Sequence, residues 1–359
     1  MIKYMRRFAA VVLAAGLLLT AAGCGEDKPD QSSQTAETVT SAPVATSQPP
    51  AHEGTLNPLT GTYDLDAAAA GKRPVAVMVN NIEAAWEVQT GLAKADIVYE
   101  TYVEGGITRL MAVYKDAANM PEVGSIRSAR YSYADLAAGH DAIYVHAGMD
   151  TEYCRARMRS LDMDAVDLLS DMSAAGYRVK NGKALEHTLY TSGEKLAKNW
   201  KKGQRLELSG EEKPWLSFRD PEESAVPSGG ICQSLKVPFS SDYSAGFTYD
   251  AEKKLYLKSQ SGNSSVDYKT DARVKVKNIL VLYAQVTDFD DGYHVKTDLS
   301  GGTGLYVSEG GFAEITWSKG DGKAPLSIKA ADGSQMPVNA GNTWVCLVNE
   351  KQKDKVSVS

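Results

Sequence analysis

The sequence predicts an α+β protein, with a layered sheet-and-helix N-terminal half and a mostly antiparallel β C-terminal half. Three observations point there. Apolar runs at residues 74–80 (PVAVMVN) and 141–147 (DAIYVHA) are continuous, as in strands covered on both faces, and helical patterning over 150–161 follows the second. Beyond residue 231 the chain becomes a series of short strand-like runs punctuated by Asp-Gly or Gly-Gly at 291–292, 301–302, 310–311, 321–322 and 332–333. The chain has 359 residues, 43% apolar and 23% charged, which excludes collagenous, fully disordered and multi-pass membrane classes and leaves room for two cores.

The first 23 residues read as a signal peptide. Lys3, Arg6 and Arg7 form a basic start without acids, and an apolar run over 8–19 follows, too short for a comfortable membrane span. Ala21-Ala22-Gly23-Cys24 resembles a bacterial lipobox, with Ala21 where Leu is commoner. On that reading the Cys24 thiol takes a diacylglycerol and becomes the first mature residue. A plain secreted protein and a retained signal anchor are the alternatives. Removing the leader takes away three cations and moves the net charge from −6 to −9. Two acyl chains, at about 0.8 kcal/mol per buried CH₂, would hold the protein on a membrane without basic residues. Residues 24–55 then form a lipidated tether. The stretch 25–62 has no aromatic residue and cannot bury enough apolar area to offset its ordering entropy.

Folded sequence is expected from residue 56. The N-terminal domain spans 56–205, a connection 206–230, the C-terminal domain 231–350 and a tail 351–359. In the first domain, strand-like runs at 96–104 and 107–115 flank Gly105-Gly106 and predict a hairpin with a primed turn. Thr191-Ser192-Gly193-Glu194 fits a capping box opening a helix through Trp200. In the second domain, strands are expected at 235–239, 255–258, 274–286, 304–307, 313–318, 326–330 and 343–348.

Segments in both halves resemble the YerB-like bacterial lipoprotein family. In the first they are Pro58-Leu59-Thr60-Gly61, 73–81 (RPVAVMVNN), 95–100 (ADIVYE), 103–110 (VEGGITRL), 123–130 (VGSIRSAR), 141–148 (DAIYVHAG) and His187 with 189–192 (LYTS). In the second they are 277–284 (KNILVLYA), 315–319 (ITWSK) and 341–345 (GNTWV). The resemblance implies a lipid-anchored envelope protein built from two domains of unknown function, with a β-β-α sandwich in the first. It implies no established reaction. After the first strand, Ile82-Glu83-Ala84-Ala85-Trp86 departs from the family pattern, and the resemblance carries no ligand role to it.

The polar constellation with most chemical content lies in the N-terminal half. Arg109 falls on the second hairpin strand, and Arg127 and Arg130 sit three residues apart, sharing a face only if the segment is helical. Guanidinium groups suit bidentate capture of phosphate or carboxylate. Together with Asn80, His146 and His187 at strand ends they make a candidate anion or ligand site. The alternative is that the arginines clamp Glu100, Glu104 or Asp135 as internal ion pairs. Five histidines without HxxxH or HExxH spacing argue against a zinc hydrolase, and no G-x-S-x-G elbow occurs. Asp288, Asp290, Asp291 and Gly292 resemble a fragment of a calcium loop but read better as a turn. No metal and no cofactor are expected. Cys154, Cys232 and Cys346 read as buried free thiols. Tyr243, Phe247, Tyr249, Tyr256, Tyr268, Tyr283, Tyr293 and Tyr306 offer either a binding face or cross-strand packing.

These readings favour a non-catalytic binding or scaffold protein on the outer face of the cytoplasmic membrane. Its partners would be the membrane, through its lipid, and an envelope ligand or protein, not nucleic acid. The competing class is an enzyme on a phosphorylated envelope substrate. Residues 73–170 faintly resemble LytR-CpsA-Psr phosphotransferases in element order, which would make Arg109, Arg127 and Arg130 a pyrophosphate clamp. The carboxylate cluster that such an enzyme needs for magnesium is not evident.

Overall fold

The computed structural model describes residues 52–170 and 172–359. The expected signal peptide, Cys24 and most of the tether lie outside the described residues. The described residues begin at His52, four residues before the expected start of the domain. Its ring stacks on Tyr63 at 4.2 Å and its Nε2 lies 2.6 Å from Asp220 Oδ2.

The first half contains β1 (Val75–Asn80), β2 (Ile97–Tyr102), β3 (Thr108–Tyr114), α1 (Tyr131–Ala138), β4 (Ile143–His146), α2 (Tyr153–Ser160), β5 (Ala165–Asp167) and α3 (Gly193–Ala197). The second contains β6 (Ser234–Pro238), β7 (Ser244–Asp250), β8 (Leu255–Gln260), β9 (Asn278–Ala284), β10 (Gly302–Ser308), β11 (Gly311–Ser318), β12 (Ser327–Ala330) and β13 (Thr343–Asn349). The protein is α+β, as its patterning predicts.

The two halves share one sheet rather than forming separate bodies. Its strand order is β12-β11-β10-β9-β13-β2-β3-β1-β4-β5. The seam is a parallel pairing of β2 with β13, running from Ile97 opposite Thr343 to Glu100 opposite Cys346. Strands in the middle of such a sheet are covered on both faces, so β1, β2, β3 and β9 are buried at every position, and β1 and β9 read as nearly continuous apolar runs.

The faces pack against different layers. Val77, Val79, Leu110, Val281 and Trp344 meet the smaller sheet of β6, β7 and β8 through Leu235, Val237, Phe247 and Tyr256. Ala76, Met78, Tyr99, Met111 and Leu280 meet α1 and α2 through Tyr133, Leu136, Cys154 and Met158. The result is a β-β-α sandwich. Trp215 and Leu216, in the expected connection, are buried in the helical layer, so that segment contributes two side chains to the core.

The β2–β3 reversal places Gly105 at φ 72° and Gly106 at φ 69°, a backbone that two glycines accept and most residues do not. Ser192 caps α3 by accepting from Lys195 N at 3.3 Å, and the helix stops at Ala197, short of Trp200. Glu194 turns to Lys198 instead of reaching back to close a capping box. Among the described residues Cys154, Cys232 and Cys346 are free and buried.

Of the aromatic side chains offered as a binding face, Tyr243, Phe247, Tyr256, Tyr283 and Tyr306 are buried, and Tyr249 is half-buried. They fill the space between layers, where alternation along a strand points them inward. Only Tyr268 and Tyr293 of that set are exposed.

Candidate functional site

Residues 123–130 lie as an extended strap across the C-terminal end of β1. Asn80 N donates to Ser125 O at 2.8 Å and Arg127 N to Met78 O at 3.1 Å. Ala147 N donates to Arg127 O at 3.0 Å and Ala129 N to Gly148 O at 2.9 Å, tying the strap to the end of β4. Gly124 permits the strap's approach to the neighbouring layer, since a Cβ there would lie 2.2 Å from the Tyr190 ring. Because the strap is extended, Arg127 and Arg130 do not share a helical face. Arg130 is the N-cap of α1 and adopts φ −138°, ψ 155°.

The three arginines have different partners. Arg130 Nε donates to buried Glu104, and its Nη1 donates to Ala129 O at 2.8 Å. Arg127 Nη1 stands 3.9 Å from Glu186, and its buried Nε has no hydrogen bond. Arg109, opposite Asn80 in the β1–β3 register, is only 5% exposed. Its Nη1 donates to Ser128 O at 2.9 Å, and among the described residues it has no ion-pair partner. Burial pushes its guanidinium down to about 10; Arg130 and Arg127 lower it further and Glu104 opposes them. Arg109 therefore remains a cation at neutral pH, inside a cluster where positive charge is in excess. Of the three carboxylates expected to clamp these arginines, only Glu104 does so. Asp135 is taken by Arg157, with Nη2–Oδ1 at 2.6 Å, and Glu100 by other donors.

Asn80 and His187 join the same corner. Asn80 Nδ2 donates to His187 Nδ1 at 2.8 Å, while Asn80 Oδ1 accepts from Ile82 N at 3.4 Å. That pairing assigns the imidazole proton to Nε2, which faces Glu186 at 3.4 Å. Burial lowers the His187 pKa, Glu186 partly offsets this, and Arg127 and Lys183 lower it again. His146 is fully buried at the end of β4, where its Nδ1 lies 2.9 Å from Gly148 O. Asn80, Arg109, Arg127, Arg130 and His187 thus form one neighbourhood, with His146 on the adjoining strand supporting the strap's turn. Among the described residues, no group of three His, Cys, Asp or Glu side chains is placed to hold a metal ion.

A second polar centre surrounds Glu100, which the sequence offers only as an ion-pair partner for the arginines. Glu100 is fully buried between the sheets. It accepts from Asn81 Nδ2 at 3.0 Å, Thr108 Oγ1 at 3.2 Å, Tyr243 Oη, and Trp344 Nε1 at 2.9 Å. Lys258 lies 4.9 Å above the Trp344 ring; burial lowers its pKa, opposed by Glu100 and Cys346. The only advance signal was Glu100 itself, an acid inside an apolar strand run.

Residues 59–205 match the model described as "Protein of unknown function (DUF3048) N-terminal domain", and residues 235–345 match its C-terminal counterpart. The chain belongs to the DUF3048 family. Over 309 residues it is 31% identical to YerB of Bacillus subtilis (strain 168), which is named as a lipoprotein; the match covers 84% of this chain and 88% of that one. The crystal structure of YerB protein from Bacillus subtilis superposes with a TM-score of 0.72 at 29% identity, covering 84% of this chain and 99% of that one. DUF3048 membership and the YerB match support reading this chain as a lipoprotein of uncharacterised role, as the family resemblance implied. The β2–β13 seam joins segments from both DUF3048 matches.

Proposed function

We propose that this DUF3048 protein is held through a diacylglycerol on Cys24 at the outer face of the cytoplasmic membrane. There its folded body acts as a non-catalytic binding or scaffold protein that captures an anionic envelope ligand at the Arg109–Arg127 corner. One observation carries the ligand reading. Arg109 is a buried cation whose only hydrogen bond among the described residues is to a carbonyl, with two more guanidinium groups beside it. An unpaired buried charge costs several kcal/mol, so its retention makes sense where a ligand completes it. Arg127, with a distant carboxylate and an unused Nε, is the natural second arm of a bidentate grip. Arg130 is committed to Glu104 and positions the strap.

The test is a thermal-shift and calorimetric titration with inorganic phosphate and pyrophosphate. Saturable, salt-sensitive stabilisation that disappears in Arg109→Met and weakens in Arg127→Met is expected. Equal shifts in both variants, or none in the parent, overturn the ligand reading. Turnover of a pyrophosphate-linked substrate would instead favour the phosphotransferase class. For the anchor, Cys24→Ala should release the protein from membranes to the medium, and continued membrane retention would sink the lipid assignment.

A further inference from the structure

We infer that a second cleft, formed by the segment after β1 and the end of β8, binds a primary ammonium group. The cleft measures about 410 Å³. Trp86 and Tyr268 are its aromatic walls, Glu83 and Asp271 its exposed acids, and Gln260 its floor. It is independent of the arginine corner in both residues and charge.

The Glu100 carboxylate only accepts, so the Asn81 amide must point its Nδ2 toward it, at 3.0 Å. Asn81 Oδ1 then faces the other way and accepts from Gln260 Nε2 at 2.6 Å and Gln89 Nε2 at 3.1 Å. Gln260 Nε2 also donates to Gln89 Oε1 at 3.2 Å. The orientation of Gln260 is therefore fixed from behind. Its carbonyl oxygen is left without a partner among the described residues, although the residue is only 3% exposed. The oxygen is not sealed from solvent, so a donor entering the cleft can bond to it.

The surroundings specify a charged donor. Neither Glu83 nor Asp271 has a cation partner among the described residues, and no Lys or Arg lines the cleft. Glu87 is occupied by Lys183 at 2.7 Å, and Asp267 is spent on Thr90 and the Gly91 backbone, so neither competes for the ligand. The half-buried indole of Trp86 and the exposed phenol of Tyr268 supply faces that attract cations. Lys269 lies 5.7 Å from the Tyr268 centroid, so a ligand would use the rest of that ring. An ammonium fits this set: three N–H donors for Gln260, Glu83 and Asp271, and a positive charge for the rings. A lysine side chain and an amino sugar carry the same group.

The test uses the purified protein with four probes: trilysine, glucosamine, and the N-acetylated form of each. Saturable perturbation of Trp86 fluorescence or NMR signals is expected from at least one amine, with acetylation weakening it at least tenfold. The amine that binds more tightly identifies the carrier. The double variant Glu83→Gln/Asp271→Asn should lose at least tenfold in affinity and Trp86→Ala a comparable amount. Glu222→Gln/Glu223→Gln, exposed acids elsewhere, should lose less than twofold. The proposal fails if neither amine saturates, if the acetylated probes bind equally well, or if the Glu222/Glu223 variant loses as much as the cleft variants.

Discussion

Glu100 and Arg109 are both charged residues buried in strands of the same sheet, and their surroundings could hardly differ more. Glu100 sits at the seam between the halves and is met by four donors from β1's end, β3, the Phe239–Ser244 turn and β13. Arg109 sits on β3, the strand next to β2, and is met by one carbonyl. A buried charge that is fully hydrogen-bonded holds a structure in one arrangement, whereas one left open is a poor stabiliser and a good receptor. Glu100 is thus a structural centre and Arg109 a candidate binding centre.

The largest expected effect comes from removing the satisfied charge. Glu100→Ala strands the Asn81, Tyr243 and Trp344 donors in the interior and should cost about 3–5 kcal/mol in urea unfolding. A loss below about 1 kcal/mol would show that the network is incidental. Next is Arg130→Met, which leaves Glu104 buried and unpaired. A cost of about 2–3 kcal/mol is expected, and neutrality would mean that Arg130 is free for ligand after all.

A smaller effect depends on pH. His140 donates to or accepts from Tyr99 Oη at 2.7 Å, and burial, aided by Lys319, pushes its pKa down from 6.5 to about 4. The unfolded chain therefore takes the proton first. Stability from this group is full above pH 6.5 and is lost as pH falls toward 4. Unfolding at pH 7.5 and pH 5 should differ by on the order of 1 kcal/mol more in the parent than in His140→Gln. Identical pH slopes in the two proteins would remove His140 from the account.

Much of the fold was legible because burial on both faces leaves a direct mark: β1, β3, β9 and β13 are apolar at nearly every position. The shared sheet was not legible, since parallel pairing of β2 with β13 joins residues about 246 positions apart and no local pattern encodes it. The aromatic residues of the second half were legible as strand formers but not as core, because the smaller sheet that covers them is itself built from weakly patterned strands such as SAGFTYD in β7. In the candidate site, the residue types were readable and their pairing was not. Whether Arg127 and Arg130 share a face depended on the strap being extended, which is set by its hydrogen bonds to Met78, Asn80 and Gly148.

Arg109→Met should have the smallest effect on stability and, on the binding reading, the largest on ligand. Methionine matches the aliphatic stem, needs no partner, and relieves the repulsion that Arg130 and Arg127 impose on this position. Among the described residues, the one side-chain hydrogen bond lost is that to Ser128 O. Stability within about 1 kcal/mol of the parent is therefore expected, or a gain, as when buried ionic groups give way to apolar ones. If Arg109 were instead a hidden structural clamp, the same substitution would cost about 3 kcal/mol or more, like Arg130→Met. Measured side by side, the two methionine variants decide whether the cluster holds the strap down at both arginines, or holds it at Arg130 so that Arg109 stays open to an anion.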